Sequence, residues 1–214
     1  MQSIFDELNK PKSFEHTPLK IVSNNAEADF IAKQEIAKLN SDSVLYEAVV
    51  SGKTPILKQD IAKSCIAKEI LELKVGERVI CLKNDPDEEY VNGSLGTVIN
   101  TLPDEVLVHF DNGNKCVIPR AFWEMKDQEG ETIATFSQIP LNPAYAITSH
   151  KSQGMTLDSV IFDCRNLFTS SQYYVGISRV RDFHHLQTIG AQINQIKASP
   201  TAIAFIEEIS KKQG

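Results

Sequence analysis

Apolar residues recur along this chain with two different periods. Leu19-Lys-Ile-Val22 is a short apolar run that predicts a buried strand. Ser23-Asn24-Asn25-Ala26-Glu27 follows, with a carboxylate three residues after Asn24 in the spacing of a capping box, so a helix is expected to start here. Ala28, Ile31, Ala32, Glu35 and Leu39 then fall at helical spacing and give that helix a thin buried stripe. A second helix is expected from Gln59 to about Leu71, with Ile61, Ala62, Cys65, Ile66 and Ile70 as its apolar positions.

Past Leu73 the period shortens. Arg78–Leu82, Gly96–Ile99, Glu105–Phe110 and Lys115–Ile118 are short β-branched runs, separated by turn signals such as Asn92-Gly93 and Asn112-Gly113. Strands at this spacing predict a small antiparallel barrel over roughly residues 74–136. Beyond it, Ala144–Thr148 and Ser159–Phe162 read as buried strands, Gln172–Arg179 as a helix and Leu186–Ile189 as a further strand. Ser199-Pro200, a cap followed by proline at the first helical position, starts a last helix carrying Ile203, Phe205, Ile206 and Ile209. Strand followed by helix is the grammar of an α/β fold, here interrupted by a β module, in three parts: 1–73, 74–136 and 137–214.

Composition narrows the class without naming it. Of 214 residues, 42% are hydrophobic and 23% charged, which excludes a disordered or collagenous chain. No apolar run approaches the ~20 residues that cross a bilayer, and the first ten residues are acidic where a signal peptide is basic. No membrane association and a cytoplasmic location are expected. Cys65, Cys81, Cys116 and Cys164 form no CxxC pair, so buried thiols are expected rather than a zinc module or disulfides. The net charge of −6 opposes coating nucleic acid by charge alone, and leaves room for nucleic acid in one local groove.

Ser51-Gly52-Lys53-Thr54 has the ending of a P-loop, yet position 47, where the first glycine belongs, is Glu47. Pro55 also restricts Thr54 to extended geometry where the P-loop helix would begin. An exposed turn is expected there, and no Walker A motif. Richer chemistry gathers in Ala144-Tyr-Ala-Ile-Thr148-Ser149-His150-Lys151-Ser152-Gln153-Gly154-Met155-Thr156-Leu157-Asp158, where a buried strand runs into hydroxyls, an imidazole, an ammonium and a carboxamide. Ligands of open α/β sheets bind beyond the carboxyl ends of strands, and phosphate oxygens are met by such groups. A merely solvated polar loop is the alternative. Gln172-Tyr-Tyr-Val-Gly176-Ile-Ser178-Arg179-Val-Arg181 adds a short helix with two arginines at its end, serving either the helix dipole or a transferred phosphoryl group.

Taken together, "AYAITSHKSQGMTLDSVIFD" and "QYYVGISRVR" closely resemble motifs V and VI of superfamily-1 DNA helicases of the RecD-like and Dda-like type. "LKIVSNNAEADFIAKQEI" is similar to the segment around motif IV, and "LELKVGERVICLKNDPDEEYVNGSLGTV" to the opening of the SH3-like barrel inserted in these enzymes. The resemblance covers nearly the whole chain after about residue 18. It implies a RecA-like (P-loop NTPase-type) motor domain, the second of two: a parallel sheet with helices on both faces, interrupted by a small antiparallel SH3-like β-barrel. It further implies that Arg179 is the arginine finger and that Gln153 and Gly154 lie by the nucleotide, with Asn25 a further nucleotide contact. Thr148, His150, Lys151 and Ser152 would lie near the backbone of single-stranded DNA. ATP would sit between two RecA-like motor domains, the first supplying the P-loop and holding Mg2+; this sequence lacks that first domain, so the chain by itself is expected to be inactive as an ATPase.

Some residues depart from that pattern or invite other chemistry. Arg181 stands where the family favours a small residue, and Lys33 and Gln34 blur motif IV. Asp85, Asp87, Glu88 and Glu89 lack the glycine and closing Glu of a calcium loop, which leaves a solvated turn. His184 and His185, being adjacent, do not share a face, so no metal pair is expected. Trp123, with Phe122 and Phe110, could stack on bases, but a core role is favoured. The expected function is the second motor domain of an ATP-dependent DNA helicase in DNA repair, recombination or replication restart. The competing one is a non-enzymatic module that binds single-stranded DNA or protein.

Overall fold

The structure, a computed structural model, describes residues 2–167 and 169–195. Helix α1 (Gln2–Leu8) precedes β1 (Leu19–Val22) and α2 (Asn25–Ile36). Then come β2 (Ser43–Glu47), β3 (Val49–Gly52), α3 (Pro55–Ser64), β4 (Ile70–Lys74) and β5 (Arg78–Cys81). Strands β6 (Leu95–Thr101), β7 (Glu105–Phe110), β8 (Lys115–Pro119), β9 (Ala121–Lys126), β10 (Thr132–Gln138) and β11 (Leu141–Pro143) follow. The chain continues through β12 (Ala146–Thr148), β13 (Val160–Asp163), α4 (Ser170–Ile177) and β14 (Leu186–Ile189). It is a mixed α/β protein with a parallel sheet, helices and a small antiparallel β region. Two compact units divide it, one built from the chain up to Ala28 and from Ile147 onward, the other from Asp29–Ala146.

The first unit is organised by a four-stranded sheet in the order β12-β1-β13-β14. β13 runs parallel to both β1 and β14, with Ile21 opposite Phe162 and Phe162 opposite Thr188. Leu19, Ile21, Val160, Phe162 and Leu186 are fully buried, while Lys20 and Gln187 between them are half-buried. On this sheet lies α4, and it can approach because residue 176 has no side chain. A Cβ on Gly176 would sit 2.4 Å from the Phe162 ring. Tyr173 of the same helix packs near Phe162 on one side and Phe5 of α1 on the other, at 6.1 and 6.2 Å between ring centroids. Asn9 closes α1 onto β14 by accepting from Thr188 Oγ1 at 2.8 Å and from the Ala191 amide at 3.0 Å.

The second unit is antiparallel, with a five-stranded sheet β11-β5-β6-β7-β8, a three-stranded sheet β3-β10-β9 and the pair β2-β4. Its larger core collects Tyr46, Leu71, Leu73, Val98, Val108 and Ile118, and a smaller one lies under α3 around Ile61 and Phe136. Trp123 joins that smaller core edge-on to Phe136, with Lys83 over its ring at 5.0 Å, while Phe122 stays exposed. Cys81, Cys116 and Cys164 are buried, and Cys65 is half-buried. No helix among the described residues is long and apolar enough to cross a membrane.

One helix is displaced from its expected place. The segment expected to be helical from Gln59 to Leu71 is instead α3 at Pro55–Ser64, and Ile70 and Leu71 belong to β4. Thr54 is indeed extended, at φ −139° and ψ 158°, but that is the conformation of an N-cap. Its Oγ1 accepts from the Leu57 amide at 3.3 Å, and Pro55 takes the first helical position, where no amide is needed. At the other end, Ile66 and Ile70 continue a helical spacing in sequence, yet both are exposed, and Ile70–Lys74 alternates with the two-residue period of a strand. The helix expected from Ser199 lies outside the described residues.

Candidate nucleic-acid and nucleotide site

β1 and β12 end side by side, where the Ser149 amide donates to the Val22 carbonyl at 3.3 Å. From Thr148 the chain makes a single helix-like turn. The Lys151 amide donates to Thr148 Oγ1 at 3.4 Å and the Ser152 amide to the Thr148 carbonyl at 3.0 Å, so Thr148 caps the turn with its own hydroxyl. Ser152 Oγ donates to the Ser149 carbonyl at 2.8 Å, and the Met155 amide to the Ser152 carbonyl at 3.1 Å. Gly154 ends it at φ +78°, a left-handed conformation that side chains other than glycine rarely adopt.

This geometry sorts the side chains. Thr148, Ser149 and Ser152 are buried, whereas His150, Lys151, Gln153 and Gly154 face solvent. The sequence-predicted hydroxyls of Thr148 and Ser152 thus shape the turn from inside, while the imidazole, ammonium and carboxamide are offered outward. The buried Ser149 hydroxyl has no hydrogen-bond partner among the described residues, and no signal in the sequence singled it out.

Arg179, immediately after α4, reaches back to this turn. Its Nη1 donates to the carbonyls of Ser152 and Met155, each at 3.2 Å. Nε donates to the Val175 carbonyl at 2.8 Å and Nη2 to Ser178 Oγ at 2.8 Å. The first of these contacts satisfies a last-turn carbonyl of the helix, which is the helix-capping role; the bonds from Nη1 go beyond it. The main chain makes the same link, since the Leu157 amide donates to the Arg179 carbonyl at 2.8 Å. Arg181 is exposed. The N-terminal end of α4 is held by the Thr169 amide donating to Gln172 Oε1 at 3.3 Å.

Asn25 is exposed at the first position of α2, and the cap itself is Asn24, whose Oδ1 accepts from the Glu27 amide at 2.9 Å. β13 ends in a pair that the sequence reading passed over: Asp163 Oδ2 and Arg165 Nη2 are 2.5 Å apart. Burial pushes the Asp163 carboxyl up, but hydrogen bonds from Arg165 and its charge outweigh that and hold it below the usual carboxylate range. Gly190 leaves room for this pair, since a Cβ there would lie 2.6 Å from Arg165 Cγ.

The P-loop-like string lies in the second unit and has none of a phosphate cradle. Gly52 is a strand residue paired with Ala134, and the Lys53 ammonium is 3.4 Å from the Glu131 carboxylate. His184 and His185 are exposed in one short 3-10 turn, and no group of three metal-ligating side chains exists among the described residues. Asp85 Oδ2 accepts from the amides of Asp87 and Glu89, as in a local turn.

Comparison with known proteins now bears on these features. Residues 57–101, from α3 into β6, match the family model described as DNA helicase Pif1, 2B domain. The ATP-dependent DNA helicase Pif1 of Bdellovibrio bacteriovorus is 33% identical over 181 residues, covering 85% of this chain and 41% of that protein. The likeness is to Pif1 DNA helicases. Among solved structures, Bacteroides Pif1 in complex with ADP-AlF4 superposes with a TM-score of 0.83 at 27% identity, over 99% of this chain and 50% of that one. Bacteroides Pif1 bound to single-stranded DNA gives 0.70 at 28% identity over the same shares. The chain is thus homologous to Pif1 helicases and spans half or less of the length of these relatives.

Proposed function

We propose that this chain is the second motor domain of an ATP-dependent DNA helicase of the Pif1 type, with an SH3-like barrel inserted at residues 74–136. What carries this reading is the joining of the turn after β12 to the end of α4 through Arg179, because it puts an arginine and a polar strand-end loop into one assembly. The exposed His150 and Lys151, on a turn shaped by Thr148 and Ser152, are suited to the phosphates of single-stranded DNA. Gln153, Gly154 and Asn25 are assigned to the nucleotide side, and Arg179 to the charge that develops on a γ-phosphate.

The described residues do not fit ATP and Mg2+ on their own. Gly52 is tied into a strand, Lys53 is paired with Glu131, and no cluster of three metal-ligating side chains is present among the described residues. A first motor domain of the same or another chain would supply the P-loop and hold Mg2+, with ATP between the two domains, and this chain alone is expected to show no ATPase activity. In a complete enzyme containing this domain, Arg179→Ala is expected to lower DNA-stimulated ATP turnover by ~1,000-fold or more while ATP binding stays nearly intact. Coupled ATPase assays beside fluorescent-nucleotide binding measure the two quantities, and retained turnover would remove Arg179 from the finger role.

A further inference from the structure

We propose that Arg179 is also a positioning residue for the DNA-facing turn, and that its two tasks exclude each other. This rests on the reading of the turn as a single-stranded DNA contact. A guanidinium carries five donors in a rigid plane. Here Nη1 is committed to the Ser152 and Met155 carbonyls, Nε to Val175 and Nη2 to Ser178. Those first two carbonyls bracket Gln153 and Gly154, so the arginine clamps the C-terminal half of the turn whose N-terminal half is capped by Thr148.

Four of the five donors are held in this way, so the fork cannot present a bidentate face to a phosphate while it holds these oxygens. Neutral carbonyls are also weaker partners than a phosphate, because a phosphate adds the attraction of a full negative charge and takes the guanidinium fork in bidentate geometry. A phosphate brought within reach of Arg179 therefore draws the guanidinium off the turn. The turn then keeps its Thr148 cap and its backbone bonds but loses the clamp at Ser152–Met155. Nucleotide state would be passed to the DNA contact by one side chain changing partners, with no movement of the sheet required.

The test uses the 214-residue chain itself with a fluorescein-labelled oligothymidine in low salt, and amide hydrogen exchange followed residue by residue. In both Arg179→Ala and Arg179→Lys, the amides of Ser152, Gln153, Met155 and Leu157 are expected to exchange ~10-fold faster, with those of β7 unchanged. Oligonucleotide affinity is expected to fall ~3- to 10-fold in both, because an ammonium keeps the charge but cannot fork across two carbonyls. Lys151→Ala is expected to weaken binding with exchange unchanged. If Arg179→Lys behaves as wild type in both measurements, charge alone suffices and the clamp is overturned. Faster exchange with unaltered affinity overturns it equally, because the turn's shape would then not serve DNA. Should the alanine variant fail to fold, Arg179→Lys and Arg179→Gln carry the comparison. Absence of oligonucleotide binding by wild type, with normal protection of the four amides, would instead defeat the DNA reading of the turn and leave the clamp standing as a structural contact.

Discussion

Ser51-Gly52-Lys53-Thr54 and Thr148-Ser149-His150-Lys151-Ser152-Gln153-Gly154 both follow apolar strand residues, and both combine hydroxyls, lysine and glycine. In the first, the glycine is a ladder residue opposite Ala134, the threonine is the cap of α3, and the lysine pairs with Glu131. Its polar groups serve a strand-to-helix passage. In the second, the glycine is left-handed, the threonine caps a turn at the sheet's edge, and an arginine from another helix seizes its carbonyls. What separates them is whether a second element is bonded across the loop, since β3 and β12 are both edge strands, and composition carries no trace of that.

The sharpest way to break the comparison is through the glycines behind each loop. Gly176→Ala forces a Cβ to within 2.4 Å of the Phe162 ring, so α4 must lift and Arg179 with it. We expect ~2–3 kcal/mol of destabilisation, the upper part of the overpacking range, read as a lowered urea midpoint together with weaker oligonucleotide binding. Gly52→Ala meets Lys58 Cγ at 3.1 Å and the Ala134 Cβ and Lys58 amide nitrogen at 3.3 Å, tight contacts but all longer than the 2.4 Å at Gly176. Its cost should stay well below that of Gly176→Ala, because the conformational gain of alanine over glycine in a strand offsets the crowding.

Next in size is Thr54→Ala, which removes the hydroxyl that accepts from the Leu57 amide. About 1 kcal/mol of stability should be lost. Oligonucleotide affinity should be untouched, and a fall in affinity would contradict the purely structural role given to 51–54. The smallest effect compares the lysines. Lys151→Ala is expected to weaken oligothymidine binding a few-fold and to reduce the slope of log K against log salt by about 1, as for one phosphate contact. Lys53→Ala should change neither quantity, since its ammonium is already beside Glu131 on an exposed surface. Equal slopes for the two variants would erase the distinction between the loops.

Legibility in the sequence followed the same divide. Leu19–Val22, Glu105–Phe110 and Leu186–Ile189 were readable because a buried strand needs little beyond an apolar run with breakers beside it. Strands β2, β3 and β4 were not. Leu45, Val49 and Ile70 are apolar yet exposed, at 62%, 61% and 64%, so the two-residue alternation present in the structure is blurred in the letters. Their partners also lie far along the chain; Val49 meets Ser137. The pair Asp163–Arg165 went unnoticed for a related reason, as two charges beside a strand end are ordinary until a neighbouring Gly190 makes room for them.

By itself, the amino-acid sequence determined the alternation of strand and helix, the likeness of two motifs to helicase motifs V and VI, and which residues stand as candidates for the chemistry. These are local properties, set by period, capping and spacing. Only the tertiary structure decided that Thr148 and Ser152 turn inward while His150 and Lys151 turn outward, and that Arg179 holds the carbonyls of Ser152 and Met155. Hydrogen bonds between residues some 24 to 27 positions apart depend on where α4 lies on the sheet. That placement depends in turn on the space that Gly176 leaves for Phe162.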